Sequence, residues 1–297
     1  MKIGIYCPCR NEEKHVNDWY ESCKEADYIY VADTGSTDNT IQLLKERGVV
    51  VTNVSIQGWR FDLAFNIAMC LLPADTDVCI RLDMDERLQP GWRAALEKAW
   101  TPETTRLRYP YVWNWVAPGI PGRTWYSDRI HARSGYYWQG HTHEGLCARV
   151  PEIQTFTDDV KIWQFPDAKD KKSDLPLLQE CVNEWPHDAR LRAYLGREYM
   201  YQGQPDKSRD VYKEFLSNES YHIAFDQSEN LNINRKVFLA FFPYSLKNIK
   251  YYSKLKLSLI ILEINNSTHS MIEWQKRNNL FLFNLNHILK LTFFHNL

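Results

Sequence analysis

The chain has 297 residues, 44% of them hydrophobic and 25% charged, enough for one large domain or two ordinary ones around a real core. A formal net charge of −1 excludes a global basic field for nucleic acid, and 14% aromatic residues exclude the acidic, aromatic-poor composition of a disordered chain. Seven cysteines without a repeating frame, and a start that runs straight into a strand pattern with no charged, apolar leader, point to a reducing, cytoplasmic setting with free thiols.

Residues 2–7 are apolar and β-prone, and residues 12–24 are polar and helix-compatible. Residues 27–32 read as a second strand, ending in Asp33-Thr34-Gly35-Ser36. A helix is expected over 37–47, with Thr37 or Ser36 as cap and Gly48 as stop. A third strand follows at 49–54, then an amphipathic helix at 61–72 with Pro73 just past its end. Residues 77–82 form a fourth strand that runs into Asp83-Met84-Asp85-Glu86, and 90–100 another helix. Strands alternating with helices of this length predict βαβ units and a mainly parallel sheet. Ligands of such sheets bind beyond the carboxyl ends of the strands. Cys7–Glu12, Asp33 and the Asp83/Asp85 pair therefore belong to one sheet edge.

Residues 101–165 change character. The stretch 109–115 alternates like a strand, 119–122 is turn-rich, and 129–133 and 136–139 read as short strands around Ser134-Gly135. His141-Thr142-His143-Glu144 follows. This is an antiparallel, aromatic-rich addition to the parallel half. Residues 173–222 are helical. Leu195-Gly196, Tyr199, Gly203, Ser208, Tyr212 and Phe215 have the spacing of one tetratricopeptide unit, with its turn at Gly203-Gln204-Pro205. One unit cannot bury its own apolar face, so it must dock on the rest of the chain or on further helices.

From residue 227 the chain has no Gly, Asp or Cys. Counting from Asp226, nine basic residues face four acidic ones. Three readings stay open for this tail: irregular helices completing the repeat region, a basic-apolar segment in peripheral membrane contact, or a stretch read in a shifted frame.

Three carboxylates in Asp83-Met84-Asp85-Glu86 repel one another unless a cation offsets them, and oxygen ligands of this kind suit Mg²⁺ or Mn²⁺ together with substrate phosphate. Alone, the pattern is as well explained by an exposed acidic turn. Likewise the Asp33 segment alone is explained by a capped strand-to-helix turn. Cys7 and Cys9 lack the usual zinc spacing. No Walker-type or Gly-x-Gly-x-x-Gly loop occurs. The basic tail has no recognition motif, so no nucleic-acid partner is expected.

Together, Pro8-Cys9-Arg10-Asn11-Glu12, Ala32-Asp33-Thr34-Gly35-Ser36-Thr37-Asp38 and Leu82-Asp83-Met84-Asp85-Glu86 resemble, in order, the strand-end motifs of inverting, GT-A-fold glycosyltransferases of the family-2 type. The resemblance covers residues 1–165 and continues into the tetratricopeptide-like segment. It implies an α/β fold, a Rossmann-like mixed sheet of the nucleotide-diphospho-sugar transferase kind, followed by a helical region. The implied layout is a transferase domain at 1–165, a helical segment at 173–225 and an atypical tail at 226–297. It also implies that Pro8, Arg10, Asn11, Glu12, Asp33 and Gly35 hold a uridine-type nucleoside, with Asp83 on the ribose or the metal. Asp85 and His143 would join Asp83 around Mn²⁺ or Mg²⁺. Trp59–Asn66 is similar to the donor-contacting helix start of the same branch, with Asp62 and Asn66 in polar contact. Glu144 is the implied general base, with Asp128 and Glu86 as rivals. The implied partners are a UDP-sugar and a saccharide, lipid or peptide acceptor. The family often has Arg just before the counterpart of Asn66, where this chain has Phe65; Arg60 is the expected substitute. The alternative is a catalytically degenerate transferase-fold protein that binds a partner through its helical repeat.

Overall fold

The computed structural model describes residues 1–167 and 173–217; the tail from residue 226 and the three readings given for it lie outside the described residues. The first half follows the expected alternation except at β5, a short strand that the sequence reading did not expect and that forms by antiparallel pairing with β13. It runs β1 (Ile3–Cys9), α1 (Glu13–Cys23), β2 (Tyr28–Asp33), α2 (Thr40–Glu46), β3 (Val50–Asn53), α3 (Phe61–Cys70), β4 (Val78–Arg81), β5 (Glu86–Leu88) and α4 (Trp92–Ala99). Next come β6 (Arg106–Val112), β7 (Trp115–Ala117), β8 (Ile120–Pro121), β9 (Thr124–Ala132), β10 (Tyr136–Gln139), β11 (Gly145–Ala148), β12 (Gln154–Phe156) and β13 (Ile162–Gln164). Three helices follow: α5 (Leu175–Glu184), α6 (Ala189–Tyr201) and α7 (Pro205–Ser217).

The main sheet has the order β3-β2-β1-β4-β9-β6-β13-β5, with β12 also pairing β6. β1 pairs β2 and β4 in parallel, and β2 pairs β3 in parallel. β9 lies antiparallel between β4 and β6. The architecture is a mixed α/β, Rossmann-like sheet followed by a helical region.

Alternation along β1 explains the two-sided core. Ile3, Ile5 and Cys7 face a cluster with Val16 and Trp19 of α1, Leu44 of α2 and Trp92 and Leu96 of α4. Tyr6 faces the other way, onto Phe65, Ala68 and Met69 of α3, with Trp138 of β10. A glycine is required beside it, because a Cβ on Gly4 would stand 2.8 Å from Leu72 Cδ2. The insert is tied to this second cluster by a buried chain of hydrogen bonds. Trp138 Nε1 donates to Tyr6 Oη (2.8 Å), Tyr6 Oη lies 2.9 Å from His131 Nε2, and His131 Nδ1 lies 2.8 Å from the Ala132 carbonyl. A neutral imidazole protonated on Nδ1 satisfies all three contacts.

Three local expectations need correction. The helix expected from residue 37 begins at Thr40, because Ser36 and Thr37 bond to Asn11 and Asp38 Oδ1 accepts from Thr40 N (3.0 Å) and Oγ1 (2.6 Å). The strand expected over 109–115 ends at Val112: Asn114 accepts from Arg123 N (2.7 Å) through its side chain and from Gly122 N (2.8 Å) through its carbonyl, starting the separate β7–β8 hairpin. The short strand expected over 129–133 is the end of the nine-residue β9, which sits inside the main sheet instead of beside it.

The helices pack with the sheet as one unit. α6 and α7 form a hairpin through the turn at Gly203. They meet so closely at Gly196 that an added Cβ would stand 2.7 Å from the Tyr212 ring. Among the described residues no helix is long and apolar enough to cross a membrane.

Candidate functional site

Because β1, β2 and β4 run parallel, their C-terminal ends share one edge. A cavity of about 510 Å³ opens there. Trp59, Phe61, Phe65 and Met84 supply apolar lining; Glu12, Asp83, Asp85, Glu144, Asp167 and Asp174 supply carboxylates; Arg10 and Arg81 supply cations.

Of the first motif, Pro8, Arg10 and Glu12 line the cavity. Asn11, in the left-handed region at φ 55°, turns its amide away to accept from Thr37 N (2.7 Å), while its own N–H donates to Ser36 Oγ (2.9 Å). It thus stitches the first two strand-end loops together. Asp33 is 1% exposed. Its Oδ2 accepts from Gly35 N (2.9 Å) and Ser36 N (3.0 Å), and Cys9 Sγ lies 3.6 Å from Oδ1. Thr34, not Asp33 or Gly35, forms the cavity wall at β2.

Asp62 and Asn66 also stand outside the lining. Asp62 is buried and accepts from Arg60, Leu63 N and Gly140 N. Asn66 pairs both ways with the Trp138 backbone (2.8 and 2.9 Å), fastening β10 to α3. Arg60 does not take the place left by Phe65: it is bound to Asp62 and to Glu184 of α5. A different cation stands there. The Arg81 guanidinium lies 3.3 Å from the Phe65 ring centroid and 4.6 Å from that of Trp138.

Arg81 is the hub of the acidic segment. It donates to both Asp83 oxygens (3.2 and 2.9 Å) and pairs with Glu144 Oε1 at 2.7 Å. Arg129 lies 3.5 Å from Asp83. Burial works against the Asp83 carboxylate, yet Arg81 and Arg129 hold its pKa below the usual carboxylate value. Asp85 lines the cavity and accepts from Gln164 Nε2 (2.9 Å). Glu86 points inward, 1% exposed, accepting from Tyr111 Oη (2.6 Å), Arg129 Nη1 (2.6 Å) and Asp83 N (2.9 Å). Burial pushes its pKa up to about 7 against the pull of Arg129, with Asp83 and Asp85 adding to the rise.

The His-Thr-His-Glu turn splits its side chains. Glu144 faces the cavity. His141 goes to α5, between Glu180 (3.1 Å) and Glu184 (2.8 Å). His143 stacks on Tyr194 of α6, with centroids 4.3 Å apart and Nε2 3.6 Å from Asp174. Asp128 pairs with Arg106 (2.9 Å) and Arg108 (3.5 Å), and like Glu86 it is not part of the lining.

Asp83, Asp85 and His143 are therefore not brought to a common point. Among the described residues, the side chains that do converge as a metal-ligand set are Glu12, His15 and Asp167, with donor atoms within 4.8 Å of one another. His15 lies 3.0 Å from Asp167 and 3.9 Å from Glu12, and the exposed Lys14 lies 2.5 Å from Asp167. Carboxylate oxygens with one imidazole fit a hard divalent ion. The Glu12-x-x-His15 spacing, one helical turn, was a readable signal for two of these three residues. Asp167 and Asp174 carry no such signal, since only the return of the chain after β13 brings them here. Arg81 was legible only as a charge at the end of an otherwise apolar strand.

No family model matches the chain, and no curated protein does. Among solved structures, S. aureus TarS 1-349 in complex with UDP-GlcNAc aligns over 81% of this chain and 80% of its own, at 12% identity and a TM-score of 0.43. Glucosyl-3-phosphoglycerate synthase from Mycobacterium tuberculosis, with Mn²⁺, UDP and glucosyl-3-phosphoglycerate, aligns over 37% of this chain and 44% of its own, at 19% identity and a TM-score of 0.31. The chain spans 48% of a longer TarS chain. These are remote likenesses in fold.

Proposed function

We propose that the chain is a metal-dependent nucleotide-sugar transferase that passes a sugar from a UDP-type donor to a saccharide, lipid or peptide acceptor with inversion. One observation carries the reading: segments ending three parallel strands, each bearing a motif of the transferase type, contribute to the wall of a single cavity rich in carboxylates. Pro8, Arg10, Glu12 and Thr34 form the nucleoside end. Asp33, Gly35 and Asn11 act there by shaping the two loops. Asp62 and Asn66 position the α3–β10 wall, and Trp59 and Phe61 exclude water from the sugar.

Mn²⁺ or Mg²⁺ would be held by Asp85, with Asp83 beside it, or by Glu12, His15 and Asp167. When bound, such an ion offsets the charge of a diphosphate leaving group. Glu144 takes the proton of the acceptor nucleophile. His143 is assigned to the helical region, where it orients Asp174 at the cavity rim. Free thiols at all seven cysteines suit a reducing, cytoplasmic setting.

The test is a screen of UDP- and GDP-sugars for metal-dependent hydrolysis. Turnover of a UDP-sugar with Mn²⁺, lost in Asp85→Ala at unchanged circular dichroism, is the expected result. Full activity of Asp85→Ala in the presence of chelator removes the metal role, and failure to bind any nucleotide sugar removes the reading. A second reading, a non-catalytic holder of nucleotide sugars, is favoured by the engagement of both Asp83 and Glu144 by Arg81. Tight donor binding without turnover across acceptors would select it.

A further inference from the structure

Arg81 is an unusual cavity residue. It is 4% exposed, yet it forms part of the wall. Its backbone is pinned by the β1–β4 register opposite Tyr6. The guanidinium packs against Phe65 and Trp138, which suits the weakly hydrated arginine head group. Nε and Nη2 form a two-point contact with Asp83, whose position is also held by Arg129 and by its own N–H on Glu86. Nη1 meets Glu144 through one oxygen. Glu144 therefore has the more replaceable of the two contacts, and it belongs to the turn between β10 and β11, not to a strand.

We propose that Arg81 is the phosphate-recognition group of this cavity, and that Glu144 occupies its outer nitrogen until the phosphates of an incoming donor displace it. The inference rests on the donor reading above and specifies which cation meets the donor.

Charge makes the exchange necessary. Glu144 puts a negative charge on the Arg81 nitrogen that a phosphate oxygen would use, and so repels a diphosphate for as long as it stays in place. Arginine pairs with phosphate through two parallel N–H bonds, so an anion entering beside Nη1 replaces a one-point contact with a stronger one. The displaced Glu144 is then a carboxylate without its cation, facing the cavity where the acceptor must lose a proton. Donor binding and deployment of the base become one event.

The experiment is calorimetric titration of UDP and of uridine, with Mg²⁺ present throughout, into the wild type, Glu144→Gln and Arg81→Lys. Glutamine keeps the shape of Glu144 and removes its charge. The expected result is UDP binding tightened on the order of tenfold in Glu144→Gln, weakened by a similar factor in Arg81→Lys, and uridine binding unchanged in both. UDP affinity that is unchanged or weaker in Glu144→Gln overturns the proposal, as does a change of equal size for uridine. A wild type that binds neither UDP nor uridine overturns the donor reading and this inference together. A wild type that binds both, with no response to Glu144→Gln, overturns this inference alone.

Discussion

Two buried groups make opposite contributions to the dependence of stability on pH, and single substitutions should separate them. His131 is fully buried and accepts from Tyr6 Oη. Burial lowers its pKa from 6.5 to about 4. As pH falls below 6.5 the unfolded chain takes up a proton that the native state refuses, so native stability is lost from about pH 6.5 down to about 4. At 1.36 kcal/mol per pH unit, the full loss is roughly 3 kcal/mol. Glu86 has the reverse sign: burial raises its pKa from 4.5 to about 7, so the native state keeps a proton the unfolded chain has released. Its stabilisation is present below about pH 4.5 and is lost as pH rises to about 7, again by roughly 3 kcal/mol. From about pH 4.5 to 6.5 the two slopes cancel in the wild type. Urea denaturation followed by tryptophan fluorescence at half-unit pH steps should show His131→Gln losing about 1.4 kcal/mol per pH unit as pH rises through that window, and Glu86→Gln gaining as much. Parallel profiles for the wild type and both variants would refute the reasoning, because neither group would then titrate differently in the two states.

Gly196→Ala should cost about 1–3 kcal/mol, because its Cβ would press on the Tyr212 ring at 2.7 Å; denaturation midpoints measure this. Tyr6→Phe removes the hydroxyl that Trp138 Nε1 and His131 Nε2 both use and should cost about 2–4 kcal/mol by leaving two buried groups unpaired. Mn²⁺ titration of UDP binding should distinguish the two candidate ligand sets. Dependence that disappears in Asp85→Ala and persists in His15→Ala assigns the ion to the acidic segment, and the reverse pattern assigns it to Glu12, His15 and Asp167.

Local periodicity and turn chemistry were enough to read four strands and the helices between them in residues 1–100, though not the three-residue β5, and with them the edge on which the strand-end segments lie. That follows from physics confined to short stretches: a run of about four to eight apolar, β-branched or aromatic residues between turn residues is too short for a helix and favours a strand. The α6–α7 hairpin was legible from the spacing of a helix–turn–helix unit, with Gly203 in the turn and Gly196 and Tyr212 on the two helices it joins. The role of each acidic residue was not legible in this way. Asp33 and Asp83 look alike in sequence, each ending a strand before a turn. Asp33 is consumed by backbone N–H groups two and three residues on, whereas Asp83 is held by Arg81 and by Arg129, which lies 46 residues away.

What the order of residues determined by itself was the sheet edge, the strand-end loops and the helical hairpin that follows. Tertiary structure alone decided which charges meet: it inserted β9 into the sheet, brought Arg129 to Asp83 and Glu86, carried Asp167 and Asp174 back to the cavity, and set Glu144 on Arg81. Secondary structure depends on neighbours a few residues apart. A side chain's ionic partner is chosen by whatever the packed core leaves within a few ångströms, and sequence distance places no limit on that choice.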